Sequence, residues 1–509
     1  MQVYRDLLLI FASKYFGNLV FTLKQKMSVI TIETRKLSHP VILKTEDLAR
    51  IHDASVRVLE ETGMVFHSDK VLALLKKHGA RVSGKTARVT RSMIDEALDL
   101  CPENVKWRAR NEDYSIVVGK GPHVQASGGS VYIQDIEKGR RPGTLADFTN
   151  IQKLYQSSDV IDVVGFTPVD AGDIETNYKH LHMQYEILKN TNKPIHGHVC
   201  GGKQAGQMLD MTEIAFAEEG LMRKHHVMGT SINTISPLGF GEEQLETLLE
   251  YVSRNQIIIA APMALGGMSA PASYLGMTVL VNAEILAMIV LIQLINPGNP
   301  VITGPSSSYV DMKTGEYSSG TPDGMIHMIT HIQLSRDFYH LPTRVLSGAC
   351  ESKVVDVQAG FETMQNLMAS VLVGSDLIAH ACGILDNLMT ISYEKLIIDE
   401  ELIHRAFYMA GCPVEISEDA LSVDIINEIG SGGSYLQHQS TFNKCRTLFQ
   451  PTVANWSNYE EWARNGSQDI VARANGIYKE RLAAAPESFL DSNIEGELKH
   501  FMKRIINGN

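Results

Sequence analysis

Short runs rich in apolar and β-branched residues recur near 123–127, 160–166, 194–199, 227–232, 257–262, 300–304, 343–347 and 377–381. Helical patterns stand between and after them, at 145–156, 177–190, 204–219, 242–254, 274–295, 323–339 and 359–372. Strands alternating with helices imply right-handed βαβ units, and eight such strands are the number that closes a barrel. The sequence therefore predicts an α/β chain built as a TIM (β/α)8 barrel, with an N-terminal helical layer and a C-terminal helical and lid extension. A doubly wound open sheet is the competing reading. It wants a Gly-rich phosphate loop after the first strand, and Ser127-Gly128-Gly129-Ser130 lacks the G-x-G-x-x-G spacing.

The elements follow in order. Residues 1–26 contain Leu7-Leu8-Leu9-Ile10-Phe11-Ala12, too short to span a bilayer and without a small-residue cleavage site. Met27 opens a more ordinary polar leader, so 1–26 is read as a non-native or flexible extension. Leu48, Ile51, Ala54, Val58 and Leu59 have helical spacing and stop at Gly63; 71–78 and 91–100 read as two more helices. Residues 105–118 alternate polar and apolar as a hairpin does. The predicted layer is thus 27–120, the barrel 121–382 and the extension 383–509. In the extension, helices run through Ala410 and Cys412-Pro413 breaks the pattern. The loop Gly430-Ser431-Gly432-Gly433-Ser434-Tyr435-Leu436-Gln437-His438 reads as a flap closing over the barrel mouth, with a tight turn or a phosphate cradle as alternatives. A charged final helix is expected at about 467–484.

Composition removes several functions. The 509 residues carry a net charge of -12 with no compensating basic block, which argues against nucleic acid. Six scattered cysteines form no C-x-x-C pair, so neither a zinc ribbon nor a disulfide framework is expected, and reduced thiols in the cytoplasm are the simplest reading. The apolar stretch 274–295 is long enough to cross a membrane but carries Asn282, Glu284 and Gln293, which predicts a buried helix.

Polar residues gather where strands end: Thr167, His196, His198, Ser231, Asn233, Thr303, Ser347 and His380. In a barrel such positions converge on one face, where active sites lie. The richest stretch is Arg344-Val345-Leu346-Ser347-Gly348-Ala349-Cys350-Glu351-Ser352-Lys353, running on to Glu362. His196, His198 and Cys200 alternate along one strand and could face one side, either as three zinc donors or as hydrogen-bonding lumen residues.

An ordered string of segments points further: Ala261-Pro262-Met263 with Gly266 and Gly267; Asn282-Ala283-Glu284-Ile285-Leu286-Ala287; Asn296-Pro297-Gly298 with Pro300; and Asp356-Val357-Gln358-Ala359-Gly360-Phe361-Glu362. Gly430-x-Gly432-Gly433 with Leu436, His438, Thr441 and Arg446 completes it. Over nearly all of 45–485 the chain resembles the trimethylamine methyltransferase family, and specifically its members without pyrrolysine. The resemblance implies a TIM barrel that moves a methyl group from a methylated amine to the cobalt of a separate corrinoid protein. It also implies that the corrinoid is carried by that partner, that the chain binds no cofactor of its own, and that it forms a homo-oligomer. Trimethylamine enzymes carry pyrrolysine near the segment that here reads Ser347-Gly348-Ala349-Cys350-Glu351-Ser352, all standard residues.

The expected donor is therefore a quaternary amine, glycine betaine first, with proline betaine, carnitine or γ-butyrobetaine as alternatives. A non-catalytic betaine-binding or partner-docking protein is the alternative of another class. A tertiary amine would leave as an amide anion, whereas a quaternary ammonium leaves as a neutral amine and needs no general acid. Its nitrogen has no lone pair for a metal, which weighs against zinc at His196, His198 and Cys200. What remains is orientation, exclusion of water and a cation-tolerant pocket. Gln358, Asp356 and Glu362 are the expected catalytic residues; His196, His198, Phe166, Tyr309, Phe361, His438, Tyr435 and Cys350 are the expected substrate-binding ones. Aromatic faces attract a quaternary ammonium, and Tyr132 and Tyr317 are further candidates. Glu351 could balance the cation, and Lys353 could hold a carboxylate. Carboxylates before the helix could equally cap it. Arg344 opens its strand and is expected at the far end of the barrel.

Overall fold

The structure is a computed structural model and describes residues 41–411 and 416–508. The expectations for residues 1–26 and for the break at Cys412-Pro413 lie outside the described residues.

Eight short strands pair in parallel: β1 (His123–Val124), β2 (Val164–Gly165), β3 (Ile195–Gly197), β4 (Met228–Ile232), β5 (Ile257–Ala260), β6 (Val301–Thr303), β7 (Arg344–Leu346) and β8 (Leu377–Ala379). Hydrogen-bonded ladders join β2 through β6 in order and then β7, β8 and β1. Parallel bridges Thr303–Thr343 and Gln125–Val163 link the two sets, so the pairings return to the strand where they began. Each strand feeds a helix: α1 (Leu145–Ser157), α2 (Lys179–Asn190), α3 (Gly202–Phe216), α4 (Glu242–Ser253), α5 (Tyr274–Ile295), α6 (Pro322–Gln333), α7 (Val357–Val373) and α8 (Tyr393–Gly411). The molecule is thus α/β. Strands covered on both faces read as unbroken apolar runs, and Ile257-Ile258-Ile259-Ala260 of β5 is buried throughout.

The apolar α5 is a core helix: 83 % of its most apolar stretch lies inside the molecule. It packs on the helices Thr45–Glu61 and Arg91–Asp99 of the N-terminal layer. Glu284 within it accepts hydrogen bonds from Thr234 Oγ1, from Ser236 Oγ at 2.8 Å and from the Leu238 amide at 2.8 Å. Burial pushes its carboxyl up, and those donors fasten the helix to the loop after β4.

Val105–Trp107 and Ile116–Val118 form the expected hairpin. Its Trp107 is fully buried, and a Cβ on Gly229 would lie 2.6 Å from the indole, so only glycine fits there. The hairpin shares a core with Val163, Ile257, Ile259, Ala261, Ile302 and Leu377. Its Trp107 meets Gly229, and its strand Val105–Trp107 leads into the Arg108 amide that donates to the His226 carbonyl, both at the start of β4. It therefore plugs the N-terminal ends of the strands and leaves their C-terminal ends for chemistry.

Two elements depart from expectation. The N-terminal layer is not purely helical: Met64–Phe66, Thr86–Arg88 and Arg81–Ser83 form a small sheet that Gly239–Phe240 joins in parallel. After the expected last helix, seen here as α9 (Ile470–Ala484) on α8, comes another, α10 (Ser492–Ile506), packed on α3.

Candidate active site

The C-terminal ends of β2, β3, β7 and β8 deliver one cluster. Phe166 follows β2 with φ +50 and Thr167 with φ +31, a left-handed turn that costs energy in residues with a Cβ. The turn is held by backbone contact: a Cβ on Gly128 would lie 2.1 Å from the Phe166 carbonyl oxygen. It presses the Phe166 ring against His196, with centroids 4.1 Å apart, and against His380 at 5.1 Å, edge to face. His380 also has a positive φ, +53.

His196 meets Ser231 Oγ through Nε2 at 2.9 Å, and its buried Nδ1 has no partner among the described residues. His380 Nδ1 accepts from the Gly128 amide at 3.4 Å, which leaves its Nε2 carrying the proton. Burial pushes both imidazoles well below their ordinary range, and the nearby Arg344 charge pushes the same way. Both are neutral at pH 7.

Arg344 is the correction. It opens β7, yet its fully buried side chain runs toward the strand ends. Nη1 donates to the Gly304 carbonyl at 3.2 Å and to Ser306 Oγ at 3.3 Å; Nε donates to Gln125 Oε1 at 3.2 Å. Only glycine fits at 304, where a Cβ would lie 2.5 Å from Arg344 Cβ. Among the described residues no carboxylate lies within ion-pairing distance of it, and burial brings its pKa down to about 10, still charged at neutral pH. A buried cation bonded only to neutral groups is costly.

Tyr317 links this cluster to a second one. Its hydroxyl donates to the Ser306 carbonyl at 2.8 Å, and burial first, then Glu351, raises its pKa, with Arg344 opposing. Glu351 accepts from the amides of Ser319 at 2.7 Å and Gly320 at 3.1 Å, and burial raises its pKa. Its own amide donates to Glu362 at 2.7 Å, and Gln358 Nε2 donates to the other oxygen of Glu362 at 2.9 Å. The strand ends thus carry a guanidinium, Arg344, and a carboxyl, Glu351, both close enough to act on Tyr317.

The expected residues divide accordingly. Phe166 and His196 stand in the cluster, with His380, an expected strand-end residue, beside them. Gln358 and Glu362 brace Glu351. Asp356 does different work: exposed at the start of α7, it accepts from the Ala359 amide at 2.9 Å, which holds its carboxyl below the usual range, and from Ser352 Oγ at 2.8 Å. It is a helix N-cap. Cys350 is buried and turned to the Ile384 carbonyl at 3.3 Å, with burial raising its thiol to about 11. Phe361 is exposed on α7. Tyr309 packs edge to face on Tyr274, and its buried hydroxyl has no partner among the described residues. Arg140 lies over the Tyr132 ring, 3.6 Å from its centroid, and Lys353 donates to the Glu351 carbonyl.

His198 lies close enough to His196 to act on it, and burial first, then His180, lowers its own pKa to about 4. Among the described residues no three His, Cys, Asp or Glu side chains converge as metal ligands do. Tyr435 and His438 are not brought to the site by any described contact: His438 turns to Ser440 Oγ at 2.7 Å and to Glu428 at 3.6 Å, within its own segment. Arg344 is the residue that sequence reasoning weighed as a donor to a carboxylate and set aside for its place at the strand start, because the length of its side chain was not counted.

Fold and site together define an α/β protein whose parallel strands end around a buried guanidinium with no carboxylate partner among the described residues. The chain belongs to the trimethylamine methyltransferase family: the family described as Trimethylamine methyltransferase (MTTB) matches residues 22–507. It is 34% identical over 464 residues to the glycine betaine methyltransferase of Desulfitobacterium hafniense (strain Y51), covering 91% of this chain and 96% of that one. It is 30% identical over 403 residues to the proline betaine:corrinoid methyltransferase of Eubacterium limosum, covering 77% and 83%. Among solved structures, the monomethylamine methyltransferase of Methanosarcina barkeri superposes with a TM-score of 0.51 at 11% identity, over 91% of this chain and 94% of that one, a likeness of fold alone.

Proposed function

We propose that this protein moves a methyl group from a quaternary amine, glycine betaine first, to the Co(I) of a partner corrinoid protein and releases the tertiary amine. The observation that carries the reading is Arg344, a fully buried guanidinium with no carboxylate partner among the described residues. A betaine supplies the missing carboxylate at one end and a permanent cation at the other. Arg344 holds the carboxylate, with neutral His380 able to donate through Nε2. The trimethylammonium group then lies toward Phe166, whose face attracts it, and toward the Glu351 side of Tyr317. Proline betaine, carnitine and γ-butyrobetaine share the same two poles at other spacings.

Co(I) supplies the nucleophile. Its electron pair forms the carbon–cobalt bond while the carbon–nitrogen pair stays on nitrogen, giving a neutral amine, so the chain need not hold or deliver a proton. Its residues orient the donor by the carboxylate, exclude water with the half-buried Phe166 ring and the buried His196 and His380 beside it, and leave one methyl facing the strand ends. The names of the relatives, one for glycine betaine and one for proline betaine, support this donor class. We read the fold as a TIM (β/α)8 barrel at residues 121–382, supported by the returning parallel pairing and by the plug at the strand starts. Reaction with Co(I), a strong reductant, suits the cytoplasm.

The test is direct. The purified protein is mixed with reduced corrinoid protein and a panel of quaternary and tertiary amines, and visible absorbance follows loss of Co(I). Glycine betaine should convert Co(I) to methyl-Co(III) with stoichiometric dimethylglycine. Binding of betaine without conversion for any donor would favour a non-catalytic betaine-binding protein instead.

A further inference from the structure

Gln125 stands one residue past β1, where its backbone amide donates to the Ile378 carbonyl of β8. In the ladder β8 lies between β1 and β7, and strands two apart bring the side chains of Gln125 and Arg344 together. Gln125 is fully buried. Its Oε1 accepts from Arg344 Nε at 3.2 Å, and this contact fixes which way the carboxamide points. A guanidinium has donors only, so the atom facing it is the oxygen and the NH2 lies at the other end. That Nε2 is buried and donates to none of the described residues. A buried donor without an acceptor is uncommon and destabilising.

Two more donors stand beside it. Arg344 Nη2, unlike Nε and Nη1, donates to none of the described residues. His380 is close enough for the Arg344 charge to act on it, and with Nδ1 turned to the Gly128 amide it presents Nε2–H. These groups bring one positive charge, two neutral donors and no free acceptor. A water molecule could accept from Gln125 Nε2, but it brings no charge to Arg344. A hydroxyl, as in choline, has the same shortfall and adds a hydrogen of its own to be paired. A carboxylate supplies one negative charge and two acceptor oxygens, which answers both needs at once.

We propose, on the reading that the methyl donor is a betaine, that Gln125 is a specificity-determining residue whose Nε2 binds one carboxylate oxygen while Arg344 Nη2 binds the other. Position 125 then sets whether the site takes zwitterionic or purely cationic donors. Glutamine leaves the guanidinium charge uncompensated and turns a donor to the ligand, which selects an amine that carries its own carboxylate. Gln125→Glu keeps an oxygen facing Arg344 and has almost the same shape. It pairs the guanidinium inside the protein and turns a second oxygen toward the ligand, where it repels a carboxylate and suits a bare cation.

Two measurements on the full chain test this, neither of which needs cobalt. In a crystal of the wild type grown with glycine betaine, one carboxylate oxygen should lie within about 3.2 Å of Gln125 Nε2 and the other beside Arg344. In calorimetry the wild type should bind glycine betaine in preference to tetramethylammonium. Gln125→Glu should cut the ratio of the two association constants at least about tenfold, mainly through loss of glycine betaine. Should that variant misfold, the crystal decides alone. A carboxylate held by Arg344 but out of reach of Gln125, or a smaller fall in the ratio, would overturn the role of Gln125 and leave the betaine reading standing. Glycine betaine that does not bind at Arg344 would overturn both.

Discussion

Arg344 shows what a sequence conveys about one residue and what it withholds. Its type and its place at the start of an apolar run were legible. Its direction was not, because β7 is three residues long and a side chain as long as arginine's crosses that length. The close approach of Gly304 and the acceptors Ser306 and Gln125 turn it, and these come from segments 38 to 219 residues away. If Arg344 holds the donor's carboxylate, Arg344→Met should remove about 2 kcal/mol or more, so kcat/KM for glycine betaine should fall at least about 30-fold. Tetramethylammonium has no carboxylate to lose, so its slow transfer should change less than about threefold. Equal losses for the two donors would assign Arg344 to the framework.

At the scale of elements, the alternation of strand and helix was readable because a strand covered on both faces leaves an unbroken apolar run. Elements of three residues, such as Met64–Phe66, were not, since their pairing partner Gly239–Phe240 lies far along the chain. The segment opening α7 shows the same limit. Its carboxylates were legible as a group, but the division of labour between Asp356, which caps the helix, and Glu351 with Glu362, which meet beneath the 319–320 turn, depends on three-dimensional contact. Asp356→Ala should therefore cost about 1 kcal/mol of stability through the lost cap. In a chain of 509 residues the thermal midpoint should drop by about 1 °C while kcat/KM stays within about twofold. A large loss of activity at an unchanged midpoint would return Asp356 to the chemistry.

Over the whole molecule, burial decides states that no motif announces. Closure of the strands rests on bridges between residues 125 and 163 and between 303 and 343, invisible in any local pattern. The same burial keeps α6 neutral on its inner face, where His327 and His331 stand one turn apart. His327 Nδ1 meets Thr278 Oγ1 at 3.2 Å, and burial alone brings its pKa down to about 3. In the unfolded chain an imidazole titrates near 6.5. At pH 5 the unfolded state therefore binds about one proton at this position that the folded state does not. Stability then rises with pH between about 3 and 6.5 and is lost as pH falls through that window. His327→Gln keeps a polar group beside Thr278 and removes this proton. Urea unfolding between pH 4.5 and 6 should show the slope of stability against pH reduced by about 1.4 kcal/mol per unit relative to wild type. His331, lowered to about 3 by burial and then by His327, should keep its own contribution in the variant. An unchanged slope would mean that His327 is already protonated in the folded protein and that its surroundings are wetter than its burial implies.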